Sequence, residues 1–436
     1  MINIYNLVQQ QVTRSPEQIA ITDYRKGHSR SCTYAELDEA SAGAAAMFHQ
    51  QGLRPGDRVL ILQPMSIELY QLIAAIFRSG LVALFIDPSL DRESIQQFCQ
   101  RQQPKAAVFA STAQALRVLI PSLREIPVKI AIGVPLPGDT RWNSSRYFSP
   151  RHEVLELPPE SPALISLTSG STGRPKGIIR SHGFLFNQHE ILKKTLNHQA
   201  GDTCLVMLPL FVLSNLASGV TSLLPEAKFM KRKPADLTGM FTPLKHHKPD
   251  SAIGRPDFFQ ALTAAFNKRK VTFSELKQIF VGGDPVMPKL FDDLKTMAPE
   301  VQINAVYGAT EAEPIATLTD IEATQQDFLA TKQGKGILVG KPVDDIELRI
   351  LPDQWGHPFG PFSRQAFEDQ MLPSNQTGEI VISGSHVLTS YIEEQLNLLT
   401  KIDVEGTIWH RTGDAGYFDH RGHLWLTGRC ITRNNE

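Results

Sequence analysis

Short apolar runs alternate along this chain with longer segments whose apolar residues recur every three or four positions. RVLILQP (58–64) has the density of a buried strand. SIELYQLIAAIFRSG (66–80) follows it. Its Leu69, Leu72, Ile73, Ile76 and Phe77 fall on one face of a helix, and Gly80 is a suitable stop. LVALFIDP (81–88) then reads as a second strand. The same texture recurs in AAVFAS (106–111), ALISLTSGS (163–171), TCLVMLPL (203–210), QIFVGGDP (278–285) and INAVYGAT (303–310), each an apolar run ending in small or turn-forming residues. Strand–helix–strand alternation predicts an α/β fold with helix-flanked, mainly parallel sheets.

From about residue 335 the pattern changes. GKGILVGKP, DIELRILPD, TGEIVISGS and GHLWLTG are short strands separated by turns, which predicts a smaller β-rich subdomain. The division expected from these patterns is 1–335 for the α/β part, 336–428 for the β-rich part, and 429–436 for the start of a hinge. The first twenty residues read as an amphipathic helix. They lack the basic start and apolar core of a signal peptide.

Composition narrows the function classes. Lys plus Arg is 44 and Asp plus Glu is 45 among 436 residues, so no global charge draws the chain to nucleic acid or an anionic membrane. No apolar run approaches the ~20 residues needed to span a bilayer. Cys32, Cys99, Cys204 and Cys430 lie far apart and form no CxxC pair, which suggests neither zinc nor a disulfide framework. A reducing, cytoplasmic setting is expected. Oligomeric state is not readable.

The chemistry concentrates at strand ends, where open α/β sheets bind ligands. TSGSTGRPKG (168–177) combines glycines that let backbone N–H groups approach a phosphate, hydroxyl donors, and one lysine for the outer phosphates. It is not a Walker A loop, because Arg174 and Pro175 separate Gly173 from Lys176. Taken alone, a plain Ser/Thr/Gly surface loop is the alternative reading. GGDP and YGATE end two further strands, and the three ends are expected to converge on one crevice.

The longer string LTSGSTGRPKG closely resembles the phosphate-loop signature of the adenylate-forming superfamily, which includes acyl-CoA synthetases, nonribosomal-peptide adenylation domains and luciferases. VGGDPV (281–286), YGATEA (307–312), TGEIVISGSHVLTSY (377–391) and WHRTGDAGYFDHRGHLWLTGR (409–429) resemble further motifs of that superfamily in the same order. The resemblance implies two α/β subdomains plus a smaller distorted β-barrel. It implies attack of a substrate carboxylate on the ATP α-phosphate, giving an acyl-adenylate and pyrophosphate. No side-chain nucleophile is then required, and catalysis rests on positioning and charge stabilisation.

By this resemblance Thr168, Ser169, Gly170, Ser171, Thr172 and Gly173 cradle the β- and γ-phosphates, and Lys176 screens their charge. Thr310 contacts the α-phosphate and Glu311 is the Mg²⁺ ligand. Tyr307, Gly308 and Ala309 lie beside the adenine and its phosphate, with Gly283 and Asp284 along the adenine edge. Asp414 accepts from the ribose hydroxyls, and Arg429 lies near the same sugar. Coenzyme A is a possible second substrate.

Three departures from the family pattern stand out. GRCITRNNE replaces the usual residues after the hinge arginine. The family's C-terminal domain, which carries the catalytic lysine of adenylation, is expected to be absent from these 436 residues. Val212 in MLPLFVLSNLASG stands where a histidine commonly borders the acyl pocket, beside Phe211. That apolar segment suggests a lipophilic acid, with a plain buried helix start as the alternative. YGATEAEPIA and EGTIWHRTGDAGYFD resemble the olefin-pathway β-lactone synthetase branch, which closes a 3-hydroxy fatty acid through its adenylate. A non-catalytic nucleotide-binding module is a further alternative. The pair His246–His247 is not read as a metal site, since neighbouring side chains are expected to point apart and no partner is visible.

Overall fold

The computed structural model describes residues 1–87, 90–168, 176–230 and 237–430. They form two compact units, each an α/β assembly. The first comprises Met1–His189, His198–Gly201 and Val212–Ala227; the second comprises Glu190–Asn197, Asp202–Phe211 and Lys228–Glu436.

The first unit is built on a seven-stranded sheet ordered Thr140–Arg141, Val128–Ile132, Ala106–Ala110, Arg58–Leu62, Val82–Ile86, Pro162–Thr168 and Lys176–Ser181. All neighbours are parallel except the final hairpin. Val59, Leu60 and Ile61 are buried, which is why the run reads as continuously apolar rather than alternating. The helix Ile67–Arg78 starts where Ser66 accepts from the Leu69 N–H and ends before Gly80 at φ +66°. Its five expected core positions are all buried. Arg78 is buried as well, and its charge is met by Asp38 at 2.6 Å.

In the second unit, Thr203–Val206, Ser251–Gly254, Gln278–Gly282 and Gln302–Ala309 run parallel. Their carboxyl ends therefore share one sheet edge. The strand expected over 203–210 stops at Val206, and Pro209 opens the helix Pro209–Ser218 instead. Proline's fixed φ and missing N–H suit the first helical position and cannot continue a ladder.

After Ala309 the chain turns into Ala312–Thr319, and from that strand to Ile346–Leu351 the pairing is antiparallel. The order is Ala312–Thr319, Ile337–Pro342, Leu424–Arg429, Thr407–Phe418, Gly378–Gly384 and Ile346–Leu351. Alternation explains how the β-rich part packs. Ile380 and Ile382 join Ile346, Leu348, Ile350 and Leu424 in one core, while the intervening Val381 joins Leu351, Ile402 and Trp409 on the opposite face. Both faces of this antiparallel part are buried.

Candidate active site

At the shared sheet edge of the second unit, the turn after Gln278–Gly282 and the end of Gln302–Ala309 border a cavity of ≈ 270 Å³. Gly283 and Asp284 come from the first, Tyr307 and Gly308 from the second, and Asp414 and Arg429 complete the lining. Gly283 adopts φ +84°, a conformation a residue with a Cβ enters only at a cost.

Asp414 and Arg429 are register partners across two antiparallel strands. Arg429 Nη1 donates to Asp414 Oδ1 at 2.5 Å, and the Tyr307 hydroxyl donates to Asp414 Oδ2 at 2.7 Å. Burial, followed by the adjacent Asp414 carboxylate, pushes the Tyr307 phenol well up, so it stays a donor at neutral pH. A carboxylate has about four acceptor positions. Two donors leave room for a vicinal diol.

The letters around Asp414 each have a physical task that residue type does not assign. Arg411 is fully buried and meets Glu379 at 2.6 Å, with further bonds to the carbonyls of His357 and Leu399. Burial pushes the Glu379 carboxyl upward while Arg411 pulls it down. Thr412 Oγ1 donates to the Ile380 carbonyl and accepts from the Asp414 N–H. Gly413, at φ +69°, lies where a Cβ would stand 2.7 Å from the Trp355 ring. The strand Thr407–Phe418 is thus held at each of the three residues before Asp414. The signal available in sequence was a glutamate in the mainly apolar strand Gly378–Gly384 and an arginine three residues before Asp414.

Glu311 follows the Tyr307–Gly308–Ala309–Thr310 strand end. It is half-buried, and Thr310 before it is exposed. One Glu311 oxygen, Oε1, accepts from the Tyr391 hydroxyl. Among the described residues no group of three or more His, Cys, Asp or Glu is placed to hold a metal ion by itself. Mg²⁺ takes one or two carboxylates together with phosphate oxygens, so a single glutamate fits that ion.

In the first unit, Thr168 and Lys176 are paired across the hairpin, and Lys176 is 5% exposed. Ser169, Gly170, Ser171, Thr172 and Gly173 lie outside the described residues. The GGDP and YGATE ends thus line one cavity, while the third predicted strand end falls largely on those undescribed residues. Phe211 and Val212 are both buried on Pro209–Ser218. His246 and His247 do not point apart. Their rings meet edge-on with centroids 4.7 Å apart in the last turn of Phe241–His247.

A helix-flanked parallel sheet thus carries at its carboxyl edge a cavity walled by an aspartate that Tyr307 and Arg429 bracket. The chain belongs to the AMP-binding enzyme family, whose pattern it matches over residues 8–392. It is an acyl-CoA-synthetase-like ligase that uses ATP to activate a carboxylic acid as the acyl-adenylate. An olefin β-lactone synthetase from Stenotrophomonas maltophilia is 28% identical over 96% of this chain and 77% of that protein. The medium-chain fatty-acid–CoA ligase of Escherichia coli is 23% identical over 98% of this chain and 73% of its own length. A solved long-chain-fatty-acid–CoA ligase from Archaeoglobus fulgidus superimposes with a TM-score of 0.81 over 98% of this chain and 84% of that one, at 22% identity. No described helix is long and apolar enough to cross a membrane.

Proposed function

We propose that the acid activated is a fatty acid and that its acyl-adenylate passes to coenzyme A or another thiol. The observation that carries the nucleotide half is the Asp414 carboxylate, held by Tyr307 and Arg429 on the wall of the Gly283 cavity. There it accepts from the ribose hydroxyls, with adenine along Gly283, Asp284 and Tyr307. The acyl half draws on the buried Phe211 and Val212, in a segment without a charged side chain.

In the reaction a carboxylate oxygen of the substrate attacks the α-phosphorus, and the bond to the β-phosphate oxygen breaks. Pyrophosphate leaves with the electron pair. Thr168, Lys176 and the residues 169–173 between them hold the departing phosphates, and Lys176 screens their charge. Thr310 supplies a hydroxyl to the α-phosphate. Glu311 holds Mg²⁺, which when bound neutralises phosphate charge.

A second reading has its own support. Two olefin β-lactone synthetases, from Stenotrophomonas maltophilia and Xanthomonas campestris, are each 28% identical over 96% of this chain. On that reading the acid carries a 3-hydroxyl, which attacks the acyl carbonyl and expels AMP.

Thermal stabilisation by non-hydrolysable acyl-adenylate analogues tests both readings. The series runs from short to long chains, with and without a 3-hydroxyl, beside guanine controls. A ligand at 100 times its Kd adds about 2.7 kcal/mol if it binds only the folded state. Shifts that grow with chain length and require adenine are expected. A strict 3-hydroxyl requirement moves the assignment to the lactone branch, and no adenine-dependent shift overturns the nucleotide site.

A further inference from the structure

Glu311 is tied twice to a segment that the adenylation chemistry does not otherwise use. The Leu388 N–H donates to the Glu311 carbonyl at 2.8 Å, and the Tyr391 hydroxyl donates to Glu311 Oε1. Backbone and side chain are therefore both fixed from one loop. The tyrosine is itself immobilised. Asn397 Oδ1 accepts from the Tyr391 N–H at 2.7 Å, and Asn397 Nδ2 donates to the Tyr391 carbonyl at 3.2 Å. Lys401 donates to the Leu388 carbonyl, places its ammonium 5.0 Å from the centre of the Tyr391 ring, and lies 3.1 Å from His410 Nδ1. Tyr391 is only 4% exposed.

We infer that Tyr391 is a positioning residue that sets the Glu311 carboxylate for Mg²⁺, holding Oε1 by its hydroxyl so that Oε2 is presented to the ion. This rests on the reading of Glu311 as the metal ligand. The physical reason is preorganisation. A glutamate side chain has three torsions, and a metal bound through a single protein carboxylate depends on that carboxylate standing in one rotamer. The buried Tyr391 hydroxyl donates to one oxygen of that carboxylate and so restricts its rotation. Groups that hydrogen-bond a metal ligand in this way typically affect metal affinity 10- to 100-fold. The clamp made by Asn397 and Lys401 explains why the tyrosine is fixed although it ends a loop rather than a strand.

The test is Mn²⁺ binding to the full chain, followed by electron paramagnetic resonance with the α,β-methylene analogue of ATP present. Tyr391→Phe keeps ring volume and removes only the hydroxyl. Expected is Mn²⁺ binding weaker by roughly 10- to 100-fold, with metal-free nucleotide affinity unchanged. A purely structural tyrosine would shift the thermal transition and nucleotide affinity together. Glu311→Gln is measured alongside. If Glu311→Gln weakens Mn²⁺ binding and the Tyr391→Phe titration overlays wild type, positioning by Tyr391 is wrong and Glu311 stands. If Glu311→Gln also overlays wild type, the metal-ligand reading falls and takes this inference with it. Should Tyr391→Phe fail to fold, Asn397→Ala loosens the tyrosine backbone while keeping its hydroxyl. An intermediate weakening of Mn²⁺ binding is then expected, and none overturns the inference.

Discussion

Asp414 illustrates how little of a residue's function lies in its type. A carboxylate after Gly in a turn is ordinary turn chemistry. Here it projects from within a twelve-residue strand, with Tyr307 on one oxygen and Arg429 on the other. A charge-assisted hydrogen bond contributes about 1.5–3 kcal/mol. Asp414→Asn is therefore expected to weaken AMP and ATP binding roughly 10- to 100-fold in calorimetric titrations. Global stability should change little, because Arg429 is 41% exposed and an ion pair of that kind contributes under about 1 kcal/mol. A large loss of stability with intact nucleotide binding would reverse the assignment. Glu311 and Asp414 were legible as candidates from motif resemblance. Tyr391 was visible only as a tyrosine ending a motif, since its hydrogen bond spans 80 residues.

Among elements, the strand Thr407–Phe418 carries the most. It pairs with Gly378–Gly384, Lys401–Val404 and Leu424–Arg429, so its placement fixes Asp414. The buried Glu379–Arg411 pair secures one of those edges. Replacing Glu379 by Gln leaves Arg411 buried without its counter-charge, and such changes cost about 3–5 kcal/mol. That loss should be read in urea unfolding, with nucleotide affinity falling only as the strand shifts. The double change Glu379→Leu with Arg411→Met should recover much of it. The recovery stays incomplete because the His357 and Leu399 carbonyls lose their donor. A single Glu379→Gln change costing under ~1 kcal/mol would show that the pair does not hold this edge. The apolar period of these strands was readable residue by residue. Their pairing was not, since strands far apart in sequence can share one local pattern.

For the whole molecule, near-zero net charge means that pH dependence comes from particular buried groups rather than general repulsion. His182 is fully buried, and its Nδ1 accepts from the Ile4 N–H. Burial lowers its pKa to about 4. His386 is lowered too, by burial, and donates to the Pro314 carbonyl. In the unfolded chain a histidine takes up a proton near 6.5, whereas folded His182 does so only near 4. Its contribution is full above about pH 6.5 and is lost as pH falls toward 4, at about 1.4 kcal/mol for each pH unit between the two values. Other groups that titrate in this window are common to both proteins, so comparing wild type with a His182 variant isolates the histidine contribution. Guanidinium melts at pH 7.5 and 5 should show His182→Asn losing less stability on acidification than wild type. Equal losses would mean that His182 does not govern this window.

Amino-acid order alone determined the alternation of strand and helix, the helix stop at Gly80, the change to β texture near residue 335, and the string of motifs that resembles the adenylate-forming enzymes. Those are local properties, set by side-chain periodicity and backbone preference within ten or twenty residues. Tertiary structure decided that Gly283, Tyr307, Asp414 and Arg429 line one cavity, that Arg411 answers Glu379, and that Tyr391 reaches Glu311. Each of those depends on which strands pair and in what register. Register is selected by burying both faces of the sheet at once, a condition that no single stretch of sequence contains.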